Sequence, residues 1–109
     1  MQIQINTDRN IEGRETLTAR VSGVVESALS RFSDSITRVE VHLRDANSDK
    51  KGGGDDMHCL MEVRLRGRRP VAVTSQAATL DQAVDGAADK VTRLLDSTLG
   101  QMRDRKRRS

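Results

Sequence analysis

Leu80, Ala83, Val84, Ala87, Val91, Leu94, Leu95 and Met102 recur at the helical period and line a single face. Thr79 with Gln82 three residues on has the form of a capping box, so this helix has a defined beginning. A helix apolar on one side only must lie on an apolar surface. The rest of the chain has to supply that surface.

Three stretches qualify by strict alternation, the pattern of a strand with one wet face. Ile36 to Arg44 sets Val39, Val41 and Leu43 against Arg38, Glu40, His42 and Arg44. Met57 to Gly67 sets Cys59, Met61, Val63 and Leu65 against His58, Leu60, Glu62, Arg64 and Arg66. Met1 to Asn6 is a short half-buried strand, and Val71 to Ser75 makes a last one after Pro70, where a missing amide is least costly. Between the first two strands, Leu17, Val21, Val24, Val25, Ala28, Leu29 and Phe32 mark a helix from Arg14 to Phe32. Asp45 to Asp56, with Gly52, Gly53 and Gly54, reads as a hairpin loop.

The order strand, helix, strand, strand, strand, helix predicts an α+β fold. A right-handed crossover makes strands one and two parallel, and hairpin connections make the rest antiparallel. The expected architecture is a four-stranded mixed sheet with two parallel helices on one face. Residues 1–100 form the domain, and 101–109 a basic, flexible tail.

With 109 residues, one Phe and neither Trp nor Tyr, the core must be aliphatic and base stacking is almost unavailable. Any nucleic-acid contact would rest on charge and shape. Residues 101–109 hold Arg103, Arg105, Lys106, Arg107 and Arg108 against Asp104, which leaves residues 1–100 at a net of −1 within a total of +3. A single cysteine, no signal-like apolar run and no membrane-length stretch point to a cytoplasmic protein.

No constellation of catalytic chemistry emerges. His42 and His58 are outward on neighbouring strands, but a metal site wants three or four convergent ligands. Cys59 faces inward without a histidine on its side, so it acts as a small apolar filler. The triple glycine is followed by Asp55 and Asp56, which would repel a phosphate. Neither enzyme activity, metal, cofactor nor small-molecule substrate is expected.

The basic residues carry more. Lys90, Arg93 and Ser97 share one flank of the last helix, and Arg20, Ser27 and Arg31 the corresponding flank of the first. Gly23 and Gly86 lie near these flanks, each costing roughly 1 kcal/mol against Ala in a helix interior. A close approach of a neighbouring helix or of a ligand would explain them, and so would simple tolerance. Arg64, Arg66, Arg68 and Arg69 crowd the hairpin before the last strand, either as a phosphate-contacting surface or as charge that protects an edge. The terminal R-D-R-K-R-R would attract a polyanion without regard to its sequence.

With its opening M-Q-I-Q-I, the meander V-E-V-H-L to V-R-L-R-G, and above all L-D-Q-A-V-D-G-A-A-D-K-V-T-R-L-L, the chain resembles the ribosome hibernation promoting factor and ribosome-associated inhibitor family in its short, single-domain form. Asp85, Asp89, Lys90 and Arg93 stand where that family's second-helix pattern has matching residues. The resemblance implies the same fold, no enzymatic activity, and binding to small-subunit rRNA near the decoding region. Such binding would inhibit translation or stabilise idle ribosomes under stress or in stationary phase. Carried onto this chain, rRNA binding falls on Lys90 and Arg93 by motif, on Arg20 and Arg31 by position, and on Arg103, Arg105, Lys106, Arg107 and Arg108 in the tail. Asp96, Ser97, Thr98 and Leu99 depart from the family's lysine-rich continuation. The expected partner is the small ribosomal subunit, with no membrane and a monomeric chain. The alternative is a protein-interaction or regulatory module of the same fold, suggested by Asp81, Asp85 and Asp96 on a near-neutral body.

Overall fold

The computed structural model describes the backbone of residues 1–8, 14–45 and 57–108, and their side chains apart from 14 and 101–108. Within it, β1 (Gln2–Thr7) is followed by α1 (Arg14–Leu29), a 3-10 segment (Ser30–Ser35), β2 (Ile36–Asp45), β3 (Met57–Leu65), β4 (Val71–Ala77) and α2 (Leu80–Arg108). The expected loop beyond Asp45 lies outside the described residues. The four strands lie in the order β1-β2-β3-β4, with β1 parallel to β2 and the other neighbours antiparallel. This is the expected α+β arrangement.

Alternation along each strand becomes rows across the sheet because the registers match. Ile5, Val41, Met61 and Val73 stand side by side, as do Ile3, Val39, Val63 and Val71. Leu17, Val21, Val25 and Leu29 of α1 and Ala83, Val84, Ala87, Val91 and Leu95 of α2 cover these rows and are buried with them. At about 25 cal/mol per Å² of apolar surface removed from water, such burial is the main drive for the fold. The outward strand positions remain mostly polar, Leu60 being an exposed exception, which leaves the opposite sheet face wet.

Two details differ from the periodicity. The first helix stops at Leu29 rather than continuing through Phe32, and the tighter 3-10 segment carries Phe32 into the core just before buried Ile36 starts β2. On α2 the buried face is turned toward Ala88, which is buried, and away from Leu94, which is 38% exposed.

The start of α2 is as expected: the Gln82 amide donates to Thr79 Oγ1 at 3.1 Å. Its backbone carries on through the basic run to Arg108, where composition alone predicts a flexible tail. At about 1.5 Å per residue, the helix needs only its first twenty residues or so to match the roughly 30 Å length of a ten-residue strand. The remainder extends past the sheet.

Gly86 has a specific reason. A Cβ there would lie 2.5 Å from Ser75 Oγ and 3.5 Å from Ser75 Cβ, so the helix backbone comes close to β4 rather than to α1. Ser75 is itself buried, which restricts its escape. Gly86→Ala is therefore expected to lower the unfolding free energy by about 1 kcal/mol despite its better helix propensity. In a Ser75→Ala background the same substitution should be neutral or stabilising, and thermal melts of the four variants check this sign change.

Burial pushes the Cys59 thiol up from 9.0 to about 12. The folded chain then holds this proton while the unfolded chain releases it, so stability falls as pH rises from about 9 toward 12. Cys59→Val should flatten this part of the stability profile, as measured by urea unfolding at stepped pH.

Candidate nucleic-acid interface

The expected rRNA-binding residues fall on two surfaces. Arg20 and Arg31 point into the groove between the helices, and both are engaged there. Arg20 Nε lies 2.9 Å from Asp81 Oδ1, and Arg31 Nη2 lies 2.7 Å from Asp96 Oδ2. The two ion pairs, from Arg20 of α1 and Arg31 of the 3-10 segment that continues it, follow the order of their partners along α2, as they must if the helices run parallel. Arg31 also rests over the Phe32 ring, 4.6 Å from its centroid.

Asp85 and Asp89 line the same groove with Gly23, Ser27 and Ala88. One flank of α2 thus presents a row of carboxylates, Asp81, Asp85, Asp89 and Asp96, to Arg20 of α1 and Arg31 of the 3-10 segment. Gly23 meets nothing within 4 Å of a built Cβ, so it opens the groove rather than permitting a helix contact.

Lys90 lies on the other flank. Its Nζ donates to the Thr74 carbonyl of edge strand β4 at 2.7 Å. Gly86, four residues earlier, touches the same strand, and Arg93, three residues later, shares the flank and is exposed. The structure therefore engages Arg20 and Arg31 with carboxylates of α2 and Lys90 with the edge of β4, while Arg93 is exposed. Of the four, Arg93 has no ion pair or hydrogen bond among the described residues. The side chains of Arg103, Arg105, Lys106, Arg107 and Arg108 lie outside the described residues; their backbone prolongs α2.

Periodicity could not reveal Asp81 and Asp96 as partners of Arg20 and Arg31, because that pairing depends on how two helices are set against each other. Nor could it reveal the acceptor of Lys90, a backbone carbonyl with no side-chain signal.

On the wet sheet face, His42 stands opposite Leu60 and His58 opposite Arg44. His42 approaches Glu40 at 3.9 Å and Asn6 at 3.5 Å. No group of three or more His, Cys, Asp or Glu is placed to hold a metal ion among the described residues. No described helix is long and apolar enough to cross a membrane.

Residues 3–103 match the family model described as Sigma 54 modulation protein / S30EA ribosomal protein. The fold is similar to the crystal structure of the Thermus thermophilus Protein Y N-terminal domain, with a TM-score of 0.69 and 23% identity over 90% of this chain and 99% of that one. It is also similar to a ribosomal subunit interface protein from Coxiella burnetii, with a TM-score of 0.66 and 14% identity over 92% of this chain and 99% of that one. A search of curated protein sequences finds no match.

Both interhelical pairs are about half exposed, so each contributes only about 0–1 kcal/mol to stability. Asp81→Asn and Asp96→Asn should each shift the unfolding free energy by less than about 1 kcal/mol. They should also release Arg20 and Arg31, so that the double variant elutes from heparin at higher salt than wild type. Elution at the same salt would show that the groove cations do not reach a polyanion.

Proposed function

This chain belongs to the Sigma 54 modulation protein / S30EA ribosomal protein family, and on that footing we propose that it binds small-subunit rRNA near the decoding region and there inhibits translation or stabilises idle ribosomes under stress or in stationary phase. The family is ribosome-associated and non-enzymatic. The observation that carries the reading is the extent of the match, residues 3–103, which takes in α1, α2 as far as Arg103 and the Asp85, Asp89, Lys90, Arg93 motif. It acts in the cytoplasm as a monomer, without cofactor.

In this reading Lys90 and Arg93 contact phosphates from the outer flank of α2, and the run from Arg103 to Arg108 adds sequence-independent attraction. Arg20 and Arg31 join only when phosphate competes with Asp81 and Asp96. That exchange is favourable if the desolvated groove rewards two charge-assisted contacts more than two half-exposed ion pairs. With one Phe and no other aromatic residue, the contacts go to the backbone and to shape rather than to stacked bases.

The carboxylate row on α2 favours a second reading, a module that binds a protein through the interhelical groove. The two separate cleanly. The chain should cosediment with small subunits at low salt and leave them as salt rises. Deleting residues 103–109 together with Lys90→Glu and Arg93→Glu should abolish cosedimentation. Recovery of one specific protein from nuclease-treated extract, with no ribosomes recovered from untreated extract, would instead establish the second reading.

A further inference from the structure

The arginines of the β3–β4 hairpin take no part in either helical surface. Arg68 and Arg69 are exposed, and neither has an ion-pair partner among the described residues. The turn that presents them is tight: Gly67 takes φ +71°, and the Arg68 amide donates to the Leu65 carbonyl at 3.4 Å. It is also pinned. The Arg66 amide donates to the Ser35 carbonyl at 2.8 Å, Arg66 Nε to the Asp34 carbonyl at 3.4 Å, and Thr37 Oγ1 to the Arg64 carbonyl at 3.2 Å. Two exposed guanidinium groups, without an ion-pair partner among the described residues, are thus carried on a turn held by contacts to the 3-10 segment and β2.

The adjoining sheet face carries two more arginines, each balanced by a glutamate. Arg38 of β2 stands directly opposite Arg64 of β3 in register, and Glu40 opposite Glu62. Like charges across a strand pair are destabilising, and each arginine finds relief only along its own strand, Arg38 with Glu40 at 3.1 Å and Arg64 with Glu62 at 3.2 Å. A simple edge guard needs neither arginines facing each other nor a pinned turn. A shallow recess between Asp34, Arg66, Arg68 and Leu99 joins the hairpin to α2 just before its basic run. The hairpin therefore lies beside α2 at Leu99, where the helix backbone runs on into the basic segment.

We propose that the β3–β4 hairpin, through Arg68 and Arg69 with Arg38 and Arg64 behind them, is a second contact surface for the phosphate backbone of RNA. It is separate from the helical surface and acts with the end of α2. The proposal deepens the ribosome-binding reading and rests on it for the choice of RNA as partner. Guanidinium groups suit phosphate because their fork of donors meets two oxygens at once, and a fixed turn loses little entropy on binding. The one aromatic side chain, Phe32, is buried, so this surface does not read bases by stacking.

Binding to isolated small subunits and to a plain RNA duplex, across a salt series, tests it with the full chain, R68E/R69E, R68K/R69K and K90E/R93E, melting curves serving as the folding control. R68E/R69E should bind both targets about tenfold more weakly or worse. Its plot of log affinity against log salt should be shallower by about 2, since each phosphate that is no longer neutralised removes about 0.9 from the slope. R68K/R69K, which keeps the charge, should stay within about threefold of wild type. Unchanged affinity and slope in R68E/R69E, or an equal loss in R68K/R69K, overturns the proposal. Hairpin-dependent binding to the duplex without binding to small subunits would leave this surface standing while the ribosome reading fails. Hairpin-dependent binding to anionic lipid vesicles with none to RNA overturns the assignment to RNA.

Discussion

The burial of one sheet face beneath two helices, made almost wholly from aliphatic side chains, is the constraint on which the rest of the structure depends. Val21, Val25, Val39, Val41, Met61, Val63, Val84, Val91 and Leu95 are all but inaccessible to water. Branched and flexible side chains of this size pack densely only if the helices settle close to the sheet, and Gly86 above Ser75 is where that closeness shows. Once the helices are seated, the direction of every polar flank is decided. The chemistry of the surface is a consequence of the packing beneath it.

The seating sorts the charges in a way that bulk charge does not suggest. Arg20 of α1 and Arg31 of the 3-10 segment meet carboxylates on α2, while Lys90 turns to the strand edge and Arg93 has no partner among the described residues. Ion pairs this exposed hold little stability, but they lower the local potential of the groove. The positive field is left to the hairpin, the outer flank of α2 and its basic end. Asp96, which breaks a lysine-rich continuation in the resemblance, has a definite role: it occupies Arg31.

Much of this is legible from residue order. Period two in the strands and period 3.6 in the helices mark the elements, and the hairpin-length and crossover-length connections set their directions. The Thr79 cap, the inward Cys59 and the wet sheet face follow from local pattern alone. Leu94 is misplaced by periodicity because the apolar pattern spans a wider arc than the helix buries: the buried face takes in Ala88 and leaves Leu94 at its exposed edge. The end of α1 falls earlier than the spacing suggests because Phe32 keeps helical spacing while the backbone has already tightened. For the candidate site, the residue types are evident and their partners are not: Arg20, Arg31, Lys90 and Arg93 read as one cationic surface on two helices, and the structure engages Arg20 and Arg31 with carboxylates and Lys90 with a backbone carbonyl.

By itself the sequence determined the fold class, the apolar faces, the aliphatic character of the core and the concentration of cations at the end of the chain. These depend on the spacing of side chains along a single element or on composition, both local properties. Only the tertiary structure decided which charges are spent on one another and which are left for a partner. That outcome depends on the register between strands, as for Arg38 opposite Arg64, and on the rotation of each helix against the sheet, as for Arg31 beside Asp96. Electrostatic interactions fall off over a few ångströms when exposed to water, so their sign at any surface is fixed by neighbours distant in sequence and adjacent only once the core has closed.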